Sequence, residues 1–276
     1  MTTVSNGKLS TSGLRIVVCA KVVPKPEEVR VDEETHNLVR ANVRSEVNPG
    51  DLYAVEAALA LRDLHGGSVS LISMGPPFAE PYLQVLLGMG ADHAYLLSDR
   101  AFGGADTLAT SYTLAAGIRK IGAFDLVLCG EESSDGATGQ VPAGLAEWLE
   151  VTLATYATDL QLEPGARSLK IRRELPGGFE RLRVPLPAIV SLKAGANEPR
   201  FIDVPRWREL RVQSSVTIWG AGDVDVDPEY LGLPGSATIV AGVGRAEGAE
   251  RRRERISGTP EEEAAVLFDR IRAAIP

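Results

Sequence analysis

Leu14–Val23 reads LRIVVCAKVV, a continuous apolar run rich in β-branched residues. Such a run suits a strand covered on both faces, and Pro24 and Pro26 end it. Glu27–Arg40 is polar and turn-rich, which predicts a surface excursion with a short hairpin around Asp32–Val39. Val47-Asn48-Pro49-Gly50-Asp51 is a turn by composition, with Asp51 placed to cap a helix over Leu52–His65. Leu52, Val55, Leu59, Leu61 and Leu64 give that helix roughly a 3.6-residue period, and Gly66 and Gly67 stop it. A second strand over Ser68–Ser73 leads into the turn Met74-Gly75-Pro76-Pro77 and a helix to about Gly88. Gly90-Ala91-Asp92 introduces a third strand, Ala94–Leu97. Ser98–Thr107 then connects to a helix over Leu108–Ile121.

Leu126–Cys129 is a buried strand by its apolar content. It is followed by a loop of Gly, Ser, Asp and Thr and an amphipathic helix to Leu149. Strand and helix thus alternate with short connections, the pattern of a parallel sheet wound by helices on both faces. Ligands of such sheets lie beyond the carboxyl ends of the strands. From Val151 the pattern changes. Leu160–Leu162, Ser168–Arg173 and Phe179–Val184 read as an antiparallel meander with Pro176-Gly177-Gly178 as a turn. Val184–Val190 reads as a further strand whose prolines place its start at an edge. Ala194–Pro205 is a polar loop that Trp207–Ile218 continues, and Ala221–Ile239 has no clear periodicity. Thr259–Ala274 reads as an amphipathic helix with Ala265, Leu267, Phe268 and Ile271 inward. Three parts follow: a flexible N-terminus over 1–13, an α/β domain over 14–205, and an arm with a helix over 206–276.

At 276 residues, 44% hydrophobic and 24% charged, the chain has the make-up of an ordinary globular protein. The net charge of −8 argues against nucleic acid as a partner, and the run Arg251–Arg255 reads as a solvated or partner-facing segment. No apolar run is long enough to span a membrane and no targeting pattern is visible, so direct membrane insertion is not expected and the cytoplasm is.

The loop Gly130–Gln140 carries the candidate chemistry. Small side chains and unpaired N–H groups before a helix favour a phosphate, although the same loop could be an ordinary turn and cap. Asp51, Asp106 and Thr107 are equally readable as N-caps. Cys19 and Cys129 each end an apolar run, as buried reduced thiols do, and lack the spacing of a metal site, so no metal is expected. Trp148, Trp207 and Trp219 read as core or interface aromatics. His36, His65 and His93 have no nucleophile at triad spacing.

Several motifs in combination resemble the β subunit of electron-transfer flavoproteins. They are Asn48-Pro49 with Ala54-Val55-Glu56-Ala57-Ala58, Ser73-Met74-Gly75-Pro76, Leu87-Gly88-Met89-Gly90-Ala91-Asp92, and the Gly130–Val141 loop. Arg173-Glu174-Leu175-Pro176-Gly177-Gly178, Leu186-Pro187-Ala188 and Asn197-Glu198-Pro199-Arg200 complete the set. The resemblance spans Leu14 to about Pro205. It implies a doubly wound, mostly parallel α/β sheet of the adenine-nucleotide-hydrolase-like, Rossmann-like kind, with a small antiparallel extension and a C-terminal arm, docked onto an α subunit carrying FAD.

What else it implies concerns the site. In that family an adenine nucleotide lies against positions matching Cys19 and Ala20, Asn48 and Asp51, Ser73, Met74 and Gly75. The loop positions Gly130, Ser133, Ser134, Asp135, Gly136, Ala137, Thr138, Gly139 and Gln140 belong to the same set. Glu131-Glu132 replaces the usual Lys-Gln, which favours backbone amides, Asp135, Thr138 and the glycines as the contacts. One kind of β subunit holds AMP as a structural piece and another holds a second FAD used in electron bifurcation. The stretch Leu96–Ser111 is similar to the second kind. There Asp99, Gly104, Asp106, Thr107 and Thr110 offer the additional polar groups that a pyrophosphate and ribityl chain need. FAD is therefore the expected cofactor, with AMP the alternative.

By the same resemblance Glu174 faces the mobile flavin domain of the α subunit. Val204 would be the apolar anchor of a loop that recognises a dehydrogenase, and a quinone oxidoreductase is a further expected partner. A stand-alone adenine-nucleotide-binding regulatory protein is the rival from another class, and the meander and arm count against it.

Overall fold

The computed structural model describes residues 13–25, 30–31, 38–39, 44–163, 165, 167–212, 215–239 and 254–274. Residues 1–12 of the expected flexible N-terminus lie outside these, as do the middle of the expected hairpin with His36, and Arg251–Arg253. The chain divides into two compact units, Met1–Gly242 and Val243–Pro276.

The first apolar run makes two strands. β1 spans Leu14–Cys19 and β2 Val22–Pro24. The break falls at Ala20-Lys21 because the chain leaves the main sheet there, and β2 pairs antiparallel with β5 (Ser45–Val47). Between them β3 (Arg30–Val31) and β4 (Leu38–Val39) form the expected hairpin. Helix α1 runs Pro49–His65 with Asn48 at the N-cap position and Pro49 at N1. Asp51 is therefore not the cap. It lies within the first turn and is buried, because its carboxylate is drawn inward by donors at the end of β1. Gly66 ends α1 at φ 73°, a conformation that favours glycine.

β6 (Gly67–Met74), α2 (Glu80–Met89), β7 (His93–Leu97), α3 (Thr107–Ile121), β8 (Leu126–Gly130) and α4 (Val141–Leu149) follow where the periodicity places them. β9 is longer than expected, Thr152–Leu162, and forms a meander with β10 (Ser168–Leu175) and β11 (Gly178–Pro185). The run expected as one strand over 184–190 is split. β11 ends at Pro185 on the sheet edge, and β12 (Ala188–Leu192) begins after a cis Leu186–Pro187 bond. β12 is interior, since proline lacks the N–H a central ladder requires and lies outside it.

These strands form one nine-stranded sheet in the order β11-β10-β9-β12-β8-β1-β6-β7-β13. β13 (Val216–Trp219) pairs parallel with β7. It lies in the stretch expected as continued loop, as does the preceding helix α5 (Val204–Val212). Both are short, and α5 is too polar for a core stripe, which is why periodicity does not reveal them. The first unit accordingly runs past residue 205. α6 (Pro260–Ala274) lies in the second unit, with Leu267, Phe268 and Ile271 exposed rather than turned inward.

From β9 to β13 all neighbours are parallel, and only the β9–β11 meander is antiparallel. Alternate residues of β1 face opposite layers. Ile16 and Val18 pack with Val55, Leu59 and Leu83 of α1 and α2, whereas Val17 and Cys19 pack with Leu114, Ile118 and Leu145 of α3 and α4. Each such aliphatic side chain, wholly buried, contributes about 1.5–3 kcal/mol. Strand order runs outward from β1 to β6 and β7 on one side and to β8 and β12 on the other. The sheet's topological switch point is therefore between β1 and β8, and the crevice in which such sheets bind ligands lies beyond their carboxyl ends.

Candidate functional site

Cys19 ends β1 at this switch point with Ala20 directly after it, and the buried Cys129 and Gly130 end β8 beside them. The Cys129 thiol is pushed well up from its ordinary value by the hydrogen bond it shares with Cys19 and by burial, and both side chains are buried. Close approach of α1 to β8 depends on glycine. A Cβ on Gly130 would come within 2.5 Å of Asp51 Oδ1 and 2.7 Å of the Gly50 carbonyl carbon.

Asn48, 1% exposed, stitches the loop to this corner. Its Nδ2 donates to Asp51 Oδ1 at 3.0 Å and to the Glu132 carbonyl at 2.9 Å. Its Oδ1 accepts the Ser134 N–H at 3.0 Å. The Lys21 N–H donates to Asp51 Oδ2 at 2.7 Å. Burial pushes the Asp51 carboxyl up to about 7, against the bonds it accepts from Lys21, Asn48 and Gly130. The Lys21 ammonium reaches across to Asp135 Oδ1 at 2.6 Å and to Ser133 Oγ at 3.2 Å. Although burial opposes it, this cation holds the Asp135 carboxyl below its usual range.

Asn48, Asp51, Gly130, Ser133, Ser134 and Asp135 are thus brought into one bonded cluster through Lys21, and Cys19 and Ala20 adjoin it in the chain before Lys21. Gly136, Ala137 and Thr138 form the exposed outer turn of the loop, with Ala137 at φ 46°, and Gly139 follows at φ 61°. Gln140 Oε1 accepts the Thr107 hydroxyl at 2.7 Å, which joins this loop to the start of α3. Ser73, Met74 and Gly75 end β6. They lie next to β1 through the Ala20 N–H, which donates to the Ile72 carbonyl, and next to β7 through the Gly75 N–H, which donates to the Leu97 carbonyl. The buried Ser73 hydroxyl lacks a hydrogen-bond partner.

The remaining loop is employed differently. Asp99 accepts the N–H groups of Ala101 and Ala221, which lower its pKa. Asp106 caps α3 through Leu108 and Ala109, and its other oxygen accepts the Thr238 N–H and hydroxyl at 2.9 Å each. Gly104, at φ 74°, packs against Leu233. Both carboxylates therefore hold the segment 220–238. Thr110 is half-buried one turn into α3, its N–H donating to the Asp106 carbonyl.

Glu174 lies outside the cluster on β10 and shares Lys193 with Glu131, each at 3.8 Å. Val204, 41% exposed, begins α5. Beside it Phe201 is 97% exposed, and the loop bearing it is pinned by Arg200. That guanidinium bonds both oxygens of Glu56 at 2.8 and 2.9 Å and Asp63 at 2.9 Å. Lys21, Lys193, Phe201 and Tyr156 were not singled out by sequence. Only Lys21 carried a signal, being the first charge after β1. His65 and His93 are exposed, and the three tryptophans pack internally, Trp219 stacked on Tyr95 and Trp148 edge-on to Tyr112. Among the described residues no group of three or more His, Cys, Asp or Glu is placed to hold a metal, and no helix is long and apolar enough to cross a membrane.

Residues 35–215 match the electron transfer flavoprotein domain. The chain belongs to the electron transfer flavoprotein family. Its relatives include the caffeyl-CoA reductase–Etf complex subunit CarD of Acetobacterium woodii, 43% identical over 82% of this chain and 86% of that one. The electron transfer flavoprotein subunit beta of Clostridium acetobutylicum is 44% identical over 82% and 86%. Protein FixA of Azorhizobium caulinodans is 42% identical over 82% and 83%. The resemblance carried by the motifs is borne out, as is the α/β class with a mostly parallel sheet.

The residues at the switch point fit the nucleotide this membership implies. The glycines of the loop leave the backbone around residues 136–139 uncovered, the first-turn N–H groups of α4 follow directly, the Lys21 ammonium stands beside the loop in its ion pair with Asp135, and Ser73 offers a buried hydroxyl with no protein partner. Of the two glutamates that replace Lys-Gln, Glu131 is paired with Lys193 and Glu132 contributes its carbonyl to Asn48.

Proposed function

We propose that this chain is the β subunit of a heterodimeric electron transfer flavoprotein, holding FAD in the switch-point crevice and paired with an α subunit. The observation that carries this is the convergence of the β1 exit, the α1 start and the loop 130–140 on one bonded cluster at the switch point. There the loop 130–140 and the start of α4 would receive the phosphates, Lys21 would balance their charge, and the end of β6 would line the remainder. A flavin bound there supplies hydride and single-electron transfer. The chain's residues orient it and set its surroundings. Its role is to pass electrons between NADH or a dehydrogenase and a downstream acceptor, by bifurcation between two flavins. The similarity to a caffeyl-CoA reductase–Etf subunit supports that reading.

One observation favours a second reading, AMP as a structural ligand. Asp99 and Asp106 are engaged with the segment 220–238, which leaves fewer polar groups for a pyrophosphate and ribityl chain. Counting the nucleotides released from the purified heterodimer separates the two. Two FAD and no AMP support the first reading, one FAD with one AMP selects the second, and one FAD alone overturns both.

A further inference from the structure

Tyr156 has a backbone φ of 57°, left-handed and uncommon for a residue with a bulky side chain. The cause is a bulge in β9. Val190 of β12 pairs with Ala154 and Leu192 with Ala157, so Thr155 and Tyr156 together oppose Ser191. The bulge is fastened on both sides. The buried Ser191 hydroxyl accepts the Tyr156 N–H at 3.2 Å, and the Lys193 N–H donates to the Ala157 carbonyl at 2.9 Å. A bulge re-aims a side chain, and a fastened backbone outlier points to a task for the residue that bears it.

The side chain is aimed at the crevice loop. Tyr156 Oη is 3.8 Å from where a Cβ on Gly139 would stand. The residue is 44% exposed, and its hydroxyl has no hydrogen-bond partner among the described residues. An ordinary core tyrosine would be covered and bonded. Lys193, two residues beyond Ser191, carries its ammonium 3.8 Å from Glu131 of the same loop, so the β9–β12 side closes on residues 131–139 at two points.

We propose that Tyr156 is a ligand-contact residue whose hydroxyl donates a hydrogen bond to the phosphate of the adenine nucleotide seated on the Gly139 turn. The inference rests on the reading of the crevice as a nucleotide site.

The test titrates AMP and FAD separately into the nucleotide-stripped full-length chain. Tyr156→Phe keeps the ring and removes the donor. It is expected to weaken binding about tenfold, the scale of a hydrogen bond to a charged group, with the unfolding temperature of the nucleotide-free chain unchanged. Tyr156→Asn, which tolerates the left-handed backbone, is expected to bind at least as weakly. Wild-type affinity within twofold in both variants overturns the proposal, and so does a loss of binding matched by a loss of stability in the nucleotide-free Phe variant. A wild-type chain that takes up neither nucleotide overturns the underlying reading of the crevice, and this inference with it.

Discussion

The side-chain oxygen of Asn48 accepts the backbone N–H of Ser134 at 3.0 Å, across 86 residues of chain. With the amide nitrogen donating to Glu132 and Asp51, one buried side chain fixes the crevice loop to the start of α1. Asn48→Ala removes all three bonds and leaves a buried carboxylate with fewer donors. It is expected to destabilise the protein by about 1–3 kcal/mol and to lower nucleotide content. Urea unfolding and analysis of released nucleotide check both, and unchanged values in the two would show that the loop is held by other means.

Asp51 gives stability a pH dependence of known sign. Its carboxyl is pushed up to about 7 in the folded protein, from an ordinary value of 3.8. Folding therefore takes up a proton between those values. This group's contribution is fully present below about pH 4 and is lost as pH rises through about 7. The shift corresponds to about 4 kcal/mol. Asp51→Asn is expected to gain on the wild type by up to that amount between pH 4.5 and 8, measured as the difference in unfolding free energy. A difference that stays constant with pH counts against the burial argument.

Gly130→Ala drives a methyl into Asp51 and Gly50, an overpacking expected to cost about 1–3 kcal/mol. Gly178→Ala is the control, because a Cβ there meets nothing within 4 Å, and its effect should stay within about 0.5 kcal/mol. Equal effects at the two positions would contradict the close approach of α1 to β8.

The two thiols should be silent in the folded chain. Cys129 is raised well above its ordinary value by its hydrogen bond with Cys19 and by burial, and both side chains are buried away from the reagent. Ellman's reagent at pH 8 is expected to find no thiol in the native chain and two after guanidinium. Prompt native reaction would show that the ends of β1 and β8 are open.

Asp106→Ala removes the α3 cap together with the tie to Thr238. A loss of about 1–2 kcal/mol is expected from the cap, with residues 220–239 becoming more susceptible to protease. Protection of that segment in the variant would mean that other contacts hold it.

How much of this was legible in the sequence follows from which signals are local. The alternation of β-branched runs with 3.6-residue stripes reveals β1, β6, β7 and β8 and α1 to α4, because each buries a face in its own segment. α5 and β13 give no such signal, because one has no apolar stripe and the other is four residues long. The loop at Gly130 was visible from composition and from its resemblance, and Asn48 from its motif. That Asp51 is a buried acceptor rather than a cap depends on Lys21 and Gly130 arriving from other strands, as does the engagement of Asp99 and Asp106 with 220–238. Tyr156 has no sequence signature at all, since its bulge arises only from pairing with β12.

The most direct test of the central claim, a nucleotide seated at the β1–β8 switch point, is amide hydrogen exchange of the heterodimer with and without its nucleotides. The account predicts that removing them speeds exchange most in peptides covering residues 19–21, 48–51 and 130–141. Unchanged exchange there, with the differences confined to 195–212 or to the β10–β11 hairpin, would contradict it.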